Sequence, residues 1–155
     1  MNLFRGLQTG RVDEKGRLKF SALVKQQIES QYEESRLFIT SLDGEQVKIF
    51  PIKEWEAVEA RLSQKSTEGK EVVDGEVKDK ILFHANRYGA EESLDNQGRI
   101  LVPAVLRETA GMRGEVKMTW QSNHILVLSA KKFEETAVEK RLTSEDLKHA
   151  ANLGV

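Results

Sequence analysis

The segment VDEKGRL, Val12 to Leu18, returns as LDNQGRI, Leu94 to Ile100, 82 positions further on (95 − 13). A repeated Asp-x-x-Gly-Arg constrains the fold more than any other feature, because a unit that occurs twice has to be packed twice. The match extends: VDEKGRLKFSALVKQQI lies over LDNQGRILVPAVLRETA, with Asp13/Asp95, Gly16/Gly98, Arg17/Arg99 and Ala22/Ala104 identical. Val12/Leu94, Leu18/Ile100, Phe20/Val102, Leu23/Val105, Val24/Leu106 and Lys25/Arg107 keep their chemical class. Further on the offset falls to 78 (133 − 55), where VKIFPIKEWEAV lies over ILVLSAKKFEET and Trp55 meets Phe133. The change in offset falls in polar loops, where length costs little.

Each copy reads as a strand, a tight turn and a second strand. Gly16 and Gly98 suit the positive φ of a short hairpin loop, and Asp13 and Asp95 can accept from its backbone N–H groups. In the second strand Leu18 and Phe20 alternate with Arg17 and Lys19, so one face is apolar and the other basic. A short helix follows, begun by Ser21 as N-cap or by Pro103 at its first position, with Leu23, Val24 and Ile28 as the expected buried stripe of the first copy. Two more strands turn at Asp43-Gly44 or Ser122-Asn123, and a closing helix begins near Lys53 or Lys131. Between the copies runs a polar spacer from Ser63 to Gly75. A helix is expected over Glu76 to Tyr88, with Val77, Ile81, Leu82 and Ala85 on one side. The tail from Thr143 reads as a frayed or accessory helix.

One such unit, about 45 residues long, buries too little apolar surface to be stable alone. Two packed together share a core, so the expected fold is α+β, mainly β, with both copies closing into one barrel-like domain. The units are drawn at 8–55 and 91–134, with connecting helices at 56–90 and a helical tail at 135–155. Of 155 residues 39% are apolar and 32% charged, which suits a folded chain. No apolar run is long enough for a membrane span and no secretory leader is visible, so a cytoplasmic protein is expected. The absence of cysteine removes disulfides, thiolate metal sites and Cys nucleophiles.

The net charge of −1 excludes a blanket polycation but not a local basic face. Turn geometry explains Asp and Gly in the repeat; it does not demand an outward Arg twice. A basic hairpin can enter a DNA groove, where Arg bonds guanine or clamps phosphate. An exposed Asp–Arg pair that merely ties the turn is the other reading, and the residues alone leave both open. Local positive charge is denser at the first loop, where Lys15, Arg11, Lys19 and, further upstream, Arg5 surround Arg17. Around Arg99 stand Gln97, Leu101, Ser93 and Glu92. Arg17 is therefore expected to reach the groove with Lys15 and Arg5 on the backbone, and Arg99 to serve its turn as much as DNA.

The Phe-Arg-Gly opening, VDEKGRLKFSALVK and LDNQGRILVPAVLRETAG together resemble the MraZ family, regulators with two tandem SpoVT/AbrB-type domains. The resemblance runs over nearly the whole chain, including FPIKEWEAVEARL after the first unit. It implies a double-split β-barrel with peripheral helices, and a ring-shaped homo-oligomer that binds G-rich direct repeats in double-stranded promoter DNA. It implies also a nucleoid-associated repressor of the division and cell-wall gene cluster, its own promoter included. The expected DNA-binding set is Arg17, Lys15, Arg5, Asp13, Gly16, Arg99, Asp95 and Gly98. An oligomeric protein-interaction module on the same barrel is the alternative.

No catalytic residue, metal ligand, cofactor or small-molecule substrate is expected. His84, His124 and His149 are scattered and read as surface or loop histidines. No phosphate loop, dinucleotide fingerprint or nucleophile elbow is present. Trp55 and Trp120 stand among apolar neighbours and read as core.

Overall fold

The computed structural model describes residues 2–155. Strands β1 (Gln8–Val12) and β2 (Arg17–Lys19) form the first hairpin, followed by helix α1 (Ala22–Tyr32). Ser21 caps α1, its Oγ accepting from the Val24 N–H at 3.2 Å. Strands β3 (Arg36–Thr40) and β4 (Val47–Pro51) lead into α2 (Ile52–Leu62), and α3 (Gly75–Tyr88) precedes the second copy. That copy comprises β5 (Ala90–Ser93), β6 (Arg99–Leu101), α4 (Ala104–Thr109), β7 (Gly114–Gln121), β8 (His124–Ser129) and α5 (Ala130–Glu139). The chain closes with α6 (Ser144–Asn152).

Among the described residues the eight strands belong to one antiparallel sheet, ordered β5-β3-β4-β8-β7-β1-β2-β6. It curls into a nearly closed barrel whose two edges, β5 and β6, are consecutive in the chain. The copies interleave: β1 pairs with β7, β2 with β6, β3 with β5 and β4 with β8. At two of these seams equivalent residues face each other, Leu18 opposite Ile100 and Lys48 opposite Leu126. Their separations, 82 (100 − 18) and 78 (126 − 48), are the two offsets of the repeat. An internal two-fold axis therefore passes through both seams.

The barrel interior is built from both copies. Leu18, Ile39, Ile49, Ile100, Ile125 and Val127 are each exposed by 1% or less, and burying such a side chain contributes about 1.5–3 kcal/mol. A second cluster lies outside the barrel, where Phe38, Phe50, Trp55 and Ala85 pack under α2 and α3. The Trp55 ring sits 4.6 Å from Phe38 and 5.1 Å from Phe50, within the range of favourable aromatic pairs. Trp120 is partly buried against the main core.

Several local expectations are corrected. Leu23 is 57% exposed, because at 100° per residue it turns off the stripe formed by Val24 and Ile28. Val77 is likewise exposed; of the expected side of α3 Ala85 is buried, and Tyr88 is buried with it. Pro103 is the N-cap of α4, one position before the first helical residue. The tail is a well-capped helix: the Thr143 Oγ1 accepts from the Asp146 N–H, and the Asp146 carboxylate accepts from the Thr143 N–H.

His124 is not a surface histidine. Its ring lies 5.0 Å from Phe50, and its Nε2 is buried with no partner among the described residues. Burial, helped by the charge of Lys48, pushes its pKa down to about 4 from 6.5. Between those values the unfolded chain binds the proton and the folded one does not, so stability falls as pH drops through that window. The melting temperature should fall between pH 7 and pH 4.5 by less in His124→Phe than in the wild type. Equal drops would mean that other groups set the acid sensitivity.

Candidate nucleic-acid interface

The two repeated loops have one geometry. The Asp13 Oδ1 accepts from the backbone N–H of Lys15 at 3.0 Å and of Arg17 at 2.9 Å, and Oδ2 from the Arg17 Nε–H at 2.9 Å. Asp95 repeats this with the N–H groups of Gln97 and Arg99 at 2.9 Å and the Arg99 Nε–H at 2.8 Å. The backbone N–H of the arginine, above all, holds each carboxyl below the ordinary aspartate value, so both stay ionised at neutral pH. Nε–H is the only donor of either guanidinium that finds a side-chain partner among the described residues. Each aspartate thus orients its arginine by one edge and leaves the other edge free.

Gly16 and Gly98 close the loops at φ +83° and +75°. Their carbonyls accept from the N–H groups of Val102 and Phe20, both at 2.8 Å, so each loop is tied to the strand exit of the other copy. A Cβ on Gly16 would come within 2.7 Å of the Arg107 guanidinium, which lies across the loop. Gly16→Ala should cost on the order of 1–2 kcal/mol from the left-handed conformation alone, before any displacement of Arg107. Thermal denaturation reads this directly; an unchanged melting temperature would mean that the loop relaxes freely.

Strand pairing assembles the charge. Arg11 is the cross-strand partner of Lys19, and Lys19 is the partner of Arg99. Directly opposed residues share a face, and Leu18 and Ile100 point into the core beside them, so this basic row faces outward. Three strands span about 10 Å, which suits a major groove about 12 Å wide. Arg17, opposite Leu101, stands on the same face. Like charges placed side by side repel; Glu115, opposite Arg11, and Asp95, bound to Arg99, offset the two ends of the row, and Lys19 between them has no salt-bridge partner among the described residues.

The first loop draws further cations from the other copy. A depression bounded by Arg11, Asp13 and Glu14 is completed by Arg107 and Arg113. Among the described residues Arg11, Lys15, Lys19 and Arg107 have no salt-bridge partner, and the Arg107 Nε is buried without an acceptor. Arg113 is paired with Glu108. At the second loop the residue equivalent to Arg107 is Lys25, bound to Glu29 at 2.8 Å, and the neighbouring Arg36 is held by Glu34. Lys15 sits on the exposed first loop.

Arg5 is not brought to this group. It borders a shallow depression with Thr119 and Trp120, toward the far end of β7 from Gly114. Five residues of strand separate the two ends by about 17 Å. Arg107 and Arg113 lie beside the first loop although they are remote from it in sequence. The alignment of Arg107 with Lys25 was the available signal, but nothing local said that α4 would lie across the other copy's loop. Among the described residues no cluster of His, Asp or Glu could hold a metal ion, and no helix is long and apolar enough to cross a membrane.

A family model described as "MraZ protein, putative antitoxin-like" matches residues 88–153. A protein of Acidobacterium capsulatum called Transcriptional regulator MraZ is 38% identical over 153 residues, covering 99% of this chain and 100% of the relative. Its namesake in Koribacter versatilis is 32% identical with the same coverage. One from Coxiella burnetii is 33% identical over 152 residues, covering 92% of this chain and 90% of the relative.

Proposed function

The chain belongs to the MraZ family, and on that premise we propose that it regulates transcription by binding double-stranded promoter DNA through the outward face of β1, β2 and β6. The observation that carries this reading is the row Arg11–Lys19–Arg99 with Arg17 beside it: adjacent cations with too few anions of their own. Such a row is stabilised by phosphate, and a β-ribbon of this width fits the major groove. Arg17 reads a base edge, with its Nε–H anchored on Asp13 and its free edge outward. Lys15, Arg11 and Arg107 hold the phosphates around it. Arg99, anchored on Asp95, supports the same surface from the second copy; Gly16 and Gly98 keep the loops tight.

The family further suggests a ring-shaped homo-oligomer on G-rich direct repeats, repressing the division and cell-wall genes and its own promoter in the nucleoid. Modest charge per subunit is compatible with that, since contacts made by several subunits add through effective concentration.

Fluorescence anisotropy on the DNA upstream of the coding sequence, titrated with salt, tests the proposal. Affinity should fall linearly in log–log form, and Arg11→Ala should reduce the slope by about one per subunit bound. No retention at low salt would favour a protein-interaction module instead.

A further inference from the structure

The internal two-fold axis pairs the outer face of β3 and β4 with that of β7 and β8, but the two faces are covered differently. In the first copy α2 and α3 together close it: Ala85 of α3 packs with Phe38 and Trp55, and the Thr40 hydroxyl donates to the Ala85 carbonyl at 2.6 Å. In the second copy α5 covers only one side. An open groove remains between α5 and β7, floored by Leu126, Leu128, Phe133 and Ala137 and rimmed by Lys117 and Lys140. Phe133 occupies the place of Trp55, and Leu128 that of Phe50, so this groove is where a counterpart of α3 belongs. The buried hydroxyl of Thr136, on the groove wall, has no partner among the described residues.

The helix that follows α5, as α3 follows α2, is α6, and it buries none of its residues. Leu147 is 55% exposed, with Ala150 and Ala151 one turn further along the same side. Its first turn carries Glu145 and Asp146, opposite in sign to the lysines of the groove rim. In the first copy residues 63–74 link the two helices; here the link is only 140–143, and no residue of α6 lines its own groove.

We propose that α6 of one copy docks, apolar side down, into the α5–β7 groove of a second copy, filling in trans the place that α3 fills in cis. Helix and groove are different surfaces, so the contact is head-to-tail, the class of contact from which a ring is built. This rests on the self-assembly in the reading above and assigns it a contact.

The chain has no cysteine, which makes cross-linking unambiguous. Ala137→Cys and Leu147→Cys, both at exposed positions, are purified separately, mixed and treated with a short bismaleimide. Covalent dimers should form in the mixture and be sparse with either variant alone, and the double variant should give a ladder of linked chains. In light scattering, Leu147→Asp should reduce the assembly to single chains with helicity unchanged. A link formed within one chain of the double variant would overturn the proposal. So would an oligomer that survives Leu147→Asp with no cross-link, which leaves self-assembly standing through another surface. A wild-type chain that is monomeric at micromolar concentration overturns both the contact and the self-assembly.

Discussion

Arg17→Ala should abolish specific promoter binding in a gel shift while oligomer size and melting temperature stay nearly unchanged. A bidentate arginine–base contact is worth about 1–3 kcal/mol of discrimination, a factor of about 5–150 for each subunit engaged. In an assembly that binds through several subunits the loss compounds. Little stability is at stake, because the pair with Asp13 is solvent-exposed and such pairs contribute about 0–1 kcal/mol. Arg99→Ala should weaken binding less. Its loop has Gln97 in place of Lys15, and Lys25, already neutralised by Glu29, in place of the unpaired Arg107. Its anchoring matches that of Arg17, so the two variants should melt alike. Equal loss of DNA in both would mean that the two hairpins contact DNA equally and that the charge asymmetry is irrelevant.

Neither residues 1–64 nor residues 77–155 should fold alone. Of seven strand pairings, four join one copy to the other: β1–β7, β2–β6, β3–β5 and β4–β8. A separated first copy keeps two hairpins with open edges on both sides and exposes Leu18, Ile39 and Ile49, which are fully buried in the whole chain. Isolated hairpins are marginal in water. Circular dichroism of each fragment should show no cooperative thermal transition, and mixing the two should restore one. A sharp, concentration-independent transition in a single fragment would mean that the cores are separate.

The repeat made the architecture legible, because two copies of a unit too small for its own core must share one. The axial pairs Leu18–Ile100 and Lys48–Leu126 have the separations of the repeat, but every other equivalent pair has them too, so the offsets alone do not single these out. The alternation of Leu18 and Phe20 with Arg17 and Lys19 was enough to put the basic side chains outside. The interleaving was not legible. That β1 would pair with β7, about a hundred residues away, depends on packing that no local pattern encodes. For the same reason Arg107 and Arg113 escaped notice as neighbours of the first loop, and Arg5, close in sequence to β1, turned out distant in space. Leu23 and Val77 failed more simply, since an apolar residue near a stripe need not be on it. His124 was misread because Phe50, its neighbour in space, lies far from it in sequence.

If the outward face of β1, β2 and β6 reads a specific DNA sequence, the chain should distinguish its own upstream DNA from a scrambled copy. The most direct measurement is the dissociation constant of the full chain for the DNA just upstream of its coding sequence, against a shuffled fragment of equal length and composition, at about physiological salt. The upstream fragment should bind tighter by a factor of about 10³ or more, with that preference lost in Arg17→Ala while weak, salt-sensitive binding to both fragments remains. Equal affinity of the wild-type chain for the two fragments would contradict that reading.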